Sequence, residues 1–182
     1  MRLPRRFDDA LMSPPDPLVA GGAGGVDVAG GTVDAALLET IREWCEGGAY
    51  PSLTEPLCVA GIAPNPALNG VACKLDGSHD LARLSRWRGL WWRLQILWRE
   101  CLTTRAAPPD DPWDCGWWRE GALGPAEAFR PRRPTLLMVR EPDPVVAAAL
   151  LSALRANSAA YAQPVRVLVV STAGLDGLVR LA

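Results

Sequence analysis

The stretch TLLMVREPDPVVAAALLSALRANSAAYAQPVRVLVV, residues 135–170, constrains the fold more than any other part of the chain. TLLMVR (135–140) is a near-continuous apolar run, which suits a strand covered on both faces. Asp143 can cap a helix and Pro144 can open it at the first helical position. Alanines and leucines carry that helix to about Ala160, Pro164 closes the connection, and VRVLVV (165–170) is a second strand. A crossover of this length joins parallel strands with a right-handed turn.

The second strong signal is SHDLARLSRWRGLWWRLQILWRECL, from about Ser78 or Asp80 to Leu102. Leu84, Trp87, Trp91, Leu94, Trp98 and Cys101 recur at spacings of 3, 4, 3, 4 and 3, which is an a/d repeat. Leu81, Leu90, Leu97 and Leu102 widen the stripe, and Arg86, Arg93 and Glu100 lie on another side. The simplest packing seats Trp87, Trp91 and Trp98 on the core and lets the arginines reach outward. Trp92 is off that stripe, so with Arg86 and Arg93 it is the candidate for contacting a partner.

The remaining elements are weaker. Thr32 can cap a helix from Val33 to about Cys45, with Leu37, Ile41 and Trp44 on one face. LCVAGIA (57–63) and VACKL (71–75) read as strands of a hairpin around the turn formers of PNPALNG. Residues 103–133, with prolines at 108, 109, 112 and 125, read as an irregular loop that folds back around Trp113, Trp117 and Trp118. Residues 1–31 end in LVAGGAGGVDVAGG and read as a flexible arm, because ordered glycines lose the most backbone freedom. The fold expected is thus α/β: a small mixed sheet with a central parallel β-α-β unit at about 135–170, and a long Trp/Arg-rich amphipathic helix at about 80–102 packed on it. Residues 32–182 would form one domain.

Composition narrows the function classes. A net charge of −1 gives no global attraction to nucleic acid or anionic membrane. Residues 74–105, however, carry 7 basic and 3 acidic side chains, a local excess of four. A basic helix with tryptophans makes a membrane surface conceivable, but its core-like leucines favour a protein partner. The five cysteines are dispersed without a C-x-x-C pair, and the first residues lack the apolar core of a secretory signal, so cytoplasmic localisation with free thiols is expected. No run approaches the roughly 20 apolar residues of a membrane span.

Catalytic signatures are sparse. His79 is the only histidine, so any Ser–His or Cys–His machinery would have to use it, and its place in DGSHDL suits helix capping better. There is no G-x-S-x-G elbow and no GK[ST] ending to any glycine-rich loop. Cys73 with His79, and Asp110, Asp111 and Asp114, lack the spacing of zinc or calcium sites, so no metal and no cofactor are expected.

In parallel sheets ligands bind beyond the carboxyl ends of the strands. Arg140 and Glu141 follow the first strand, and Ser171 and Thr172 follow the second. An apolar strand ending in an acid, a helix, and a strand ending in hydroxyl residues is similar to the magnesium-acid-to-sensor segment of P-loop ATPases, over about 40 residues. The resemblance implies a nucleotide held near Arg140, Glu141, Ser171 and Thr172. The chain departs from it in having Arg140 where the family has aspartate, and in lacking the lysine loop for the phosphates. The expectation is therefore a non-catalytic accessory or adaptor subunit acting through a protein partner, in a hetero-complex or homo-oligomer, with Trp92, Arg86, Arg93, Trp113, Trp117 and Trp118 as contacts. The alternative is a degenerate P-loop-like nucleotide-binding protein.

Overall fold

The computed structural model describes residues 9–15, 35–47, 57–60, 66–77, 87–92, 94, 98, 112–131 and 133–171. Among the described residues, five strands form one sheet: β1 (Met12–Ser13), β2 (Leu57–Ala60), β3 (Asp114–Trp118), β4 (Thr135–Arg140) and β5 (Val165–Ser171), in the order β1-β3-β4-β5-β2. β3, β4, β5 and β2 are parallel and β1 is antiparallel on the β3 edge, so the protein is α/β with a small mixed sheet. Among the described residues, no helix is long and apolar enough to cross a membrane.

Alternation along the central strands builds two cores. Leu137, Val139, Val165, Val167 and Val169 face one way, against Ala126 of α3 (Leu123–Ala128) and Ala147, Leu150, Leu151 and Leu154 of α4 (Pro144–Asn157). Leu136, Met138, Leu168 and Val170 face the other way, against Ile41 and Cys45 of α1 (Ala35–Glu46) and Leu68, Val71 and Ala72 of α2 (Pro66–Leu75). Both faces of the sheet are thereby covered, as a parallel sheet requires. α4 begins as its residues dictate: the Asp143 side chain accepts a hydrogen bond from the Val145 amide at 2.8 Å, and Pro144 needs no donor there.

Three expectations are corrected. VACKL is helical, not a strand, and no 57–75 hairpin forms. Leu68, Val71, Ala72 and Leu75 fall at helical spacing toward one core, and Pro66 opens the helix where a missing amide costs nothing. The 103–133 stretch is not wholly irregular, since it contains β3 and α3. Pro112 lies just before the strand and Pro125 in the first turn of the helix, where neither breaks a backbone bond. The flexible arm expected over 1–31 does not hold for residues 9–15. Leu11 and Met12 are fully buried, Met12 is in register with Trp118, and the Arg119 amide donates to the Leu11 carbonyl at 3.0 Å. Gly116 permits this docking, because a Cβ there would stand 2.9 Å from the Ser13 carbonyl oxygen.

Candidate functional site

The described part of the tryptophan helix has helical backbone at 87–92, 94 and 98. Its packing is the reverse of the expected one. Trp87, Trp91 and Trp98 are 81%, 72% and 70% exposed, and Leu90 and Leu94 are about half exposed beside them. These five side chains share a roughly 100° arc at 3.6 residues per turn. Gly89 is buried and Trp92 half-buried on the other side. The cause is topological. Among the described residues, α1 and α2 cover one face of the sheet and α3 and α4 the other, which leaves the a/d stripe outside both cores. The helix rests instead on its narrow side, where Gly89 adds no bulk.

Trp92 is the anchor of that contact. A Cβ on Gly77 would come within 2.9 Å of the Trp92 Cη2 atom and 3.6 Å of the Pro112 Cβ. Gly77 has φ +71 and follows the end of α2, a conformation natural to glycine. Trp92, predicted as a partner contact, is therefore partly spent inside the chain. Arg86 and Arg93 lie outside the described residues, as does His79.

Trp113 and Trp117 are corrected from surface contacts to core residues. Both are buried between β3 and α2, and the Trp113 amide donates to the Leu75 carbonyl at 3.0 Å. The Trp117 indole Nε1–H donates to Asn69 Oδ1 of α2 at 2.9 Å. Trp118 points to the opposite core, where it is half-buried. Its Nε1 has no hydrogen-bond partner among the described residues.

The described strand-end side chains lie on different sides of the sheet. Arg140 lies with its guanidinium carbon 4.6 Å from the centroid of the Trp117 ring, on the α2 side of the sheet. Ser171 continues the Val165, Val167 and Val169 alternation and so faces the α4 side. Glu141 is exposed, at φ +39, and its amide donates to the Val170 carbonyl at 2.8 Å. Thr172 lies outside the described residues. No group of three His, Cys, Asp or Glu side chains is placed to hold a metal among the described residues.

The candidate site is thus the exposed stripe Trp87, Leu90, Trp91, Leu94 and Trp98, with exposed Arg88 at its margin. Its three tryptophans alone present roughly 450 Å², taking 150–250 Å² for a whole aromatic side chain. That is the size of the largest, often functional, apolar patch on a monomer. The sequence held the signal in its breadth, because the stripe is wider than one helix contact uses. No protein-family model, curated protein or solved structure matches this chain.

Proposed function

We propose that the protein is a non-catalytic accessory subunit that works in the cytoplasm by docking another protein along the tryptophan helix. The exposure of Trp87, Trp91 and Trp98 in one stripe is the observation that carries this reading. Tryptophan and arginine are the side chains most enriched where binding energy concentrates, and large aromatic groups left in water are costly unless a partner removes them. In this reading the helix extends over about 80–102, so that Leu84 and Cys101 lengthen the stripe. The partner presents an apolar helix face, because a/d spacing is complementary to another helix.

The test is cross-linking in source cells with a photoreactive residue at Arg88, comparing the unsubstituted stripe with Trp91→Glu/Trp98→Glu. Discrete adducts that vanish in the double variant, with the far-ultraviolet spectrum unchanged, support the reading. Adducts identical in both proteins defeat it.

A further inference from the structure

The stripe has a property that names its occupant. With Trp91 and Trp98 at a and Trp87 and Leu94 at d, Leu90 falls at g, Arg88 at e, Trp92 at b and Gly89 at f. Every described a, d, e and g residue is exposed, the f residue is buried and the b residue half-buried. The described part of the helix therefore offers its seam to solvent and holds the rest of the chain with its opposite side.

The seam is also symmetric about its own midpoint. An antiparallel copy centred between residues 92 and 93 sets Trp87 opposite Trp98 and Trp91 opposite Leu94, each an a-to-d layer. In the sequence the repeat continues to Leu84 and Cys101, which meet in the same register. The flanks agree. Antiparallel pairing brings e against e and g against g: Arg88 meets Gln95, and Leu90 meets Leu97. A parallel pair instead sets the arginine at position 83 against Arg88 twice over, a like-charge clash at the positions that choose partners.

We infer that the partner of this seam is a second copy of the chain, joined through an antiparallel pair of tryptophan helices about a two-fold axis. The inference rests on the docking reading above and commits it to one occupant. The area suffices: two seams bury roughly 900 Å² from tryptophan alone, and the leucines bring the total toward the roughly 1,200 Å² at which specific interfaces begin. The interface is isologous, so it closes at two copies and does not propagate.

Light scattering of the full chain, from micromolar to submillimolar concentration, reads the stoichiometry. The expected mass is twice 19.5 kDa, falling to 19.5 kDa for Trp91→Glu. Orientation is read by disulfide trapping with Trp87→Cys and Trp98→Cys, each on a separate chain. The two positions are about 16 Å apart along the helix, beyond the roughly 7 Å Cα reach of a disulfide, so the oxidised mixture should trap about tenfold more dimer than either variant alone. The unsubstituted chain supplies the background from its own five thiols.

A monomer at every concentration overturns the second-copy inference but leaves the docking reading to the photo-cross-linking test. A monomer that sediments with vesicles containing phosphatidylserine assigns the seam to membrane and overturns it too. Single variants that trap themselves more than the mixture overturn the antiparallel register.

Discussion

Trp92 lies over Gly77 so closely that a Cβ on the glycine would stand 2.9 Å from the indole Cη2. This contact joins the end of α2 to the tryptophan helix, and with buried Gly89 it turns the seam outward. Gly77 also sits at φ +71, so a side chain there is strained as well as crowded. Gly77→Ala should cost about 1–3 kcal/mol from the left-handed backbone alone. Urea unfolding followed by tryptophan fluorescence measures it. A cost under about 0.5 kcal/mol, typical of a neutral surface change, would mean that Gly77 is neither strained nor crowded by Trp92 in solution.

Five of the eight tryptophans fall into two classes that substitution should separate: Trp113 and Trp117 are buried, and Trp87, Trp91 and Trp98 are exposed. Trp113→Ala and Trp117→Ala empty buried sites between β3 and α2 and should each cost about 3–5 kcal/mol. Trp87→Ala and Trp91→Ala remove exposed rings and should stay within about 0.5 kcal/mol at concentrations too low for association. Chemical denaturation of the four variants decides it. Equal costs in the two pairs would contradict the outward seam.

Local chemistry announced much of the sheet and little of the site. Apolar strands such as TLLMVR and VRVLVV, and the Asp143-Pro144 start, carry their structure within a few residues. VACKL did not, because four to five apolar residues fit strand and helix alike, and the choice fell to the core that Leu68 and Val71 could reach. The docking of Leu11 and Met12 depends on an edge more than 100 residues away, and on Gly116 having no side chain. The seam was visible as a stripe but not as a surface. Which way it faced was settled by the two helix pairs already covering the sheet, a competition that periodicity cannot register.

The clasp of β3 on α2 has a polar centre. The Trp117 indole donates to Asn69, and Arg140 covers the same ring from the solvent side. Asn69→Leu leaves the indole donor without its acceptor and should cost about 1–3 kcal/mol. Arg140→Ala removes an exposed cation–π contact worth about 0.5–1 kcal/mol. A double-mutant cycle between Asn69 and Arg140 checks whether the two share the ring, with a coupling above about 0.5 kcal/mol expected for residues on one partner.

Nucleotide binding makes a contrary prediction. Among the described residues, Arg140 and Ser171 face opposite sides of the sheet and do not share a pocket-lining face. Millimolar ATP or GTP with magnesium should leave the melting temperature unchanged, whereas a ligand at 100 times its Kd would add about 2.7 kcal/mol. A nucleotide-dependent rise that disappears in Glu141→Ala would restore the alternative reading.

Alkaline pH should weaken the fold through two groups, one in each core. Burial pushes the Cys45 thiol up from 9.0 to about 12, with nearby Arg166 pulling it down in part and Glu46 adding to the rise. Burial likewise raises the Tyr161 phenol from 10.0 to about 12, against a smaller lowering by Arg130. Both groups are acids that the folded chain keeps protonated longer than the unfolded chain does. Their contribution is therefore complete below about pH 9 for Cys45 and pH 10 for Tyr161, and is lost as the pH rises toward about 12. The Tyr161 hydroxyl also has no hydrogen-bond partner among the described residues. Tyr161→Phe should therefore leave stability at pH 7 equal or up to about 1 kcal/mol higher, since it removes a buried polar atom and keeps the ring against Phe129. The same variant should flatten the decline above pH 10, and Cys45→Ala should flatten the part that begins near pH 9. Urea midpoints between pH 7 and 11 measure both. A Tyr161→Phe curve parallel to that of the unsubstituted protein above pH 10 would mean that the phenol is hydrated in solution, and would place water at the foot of α4.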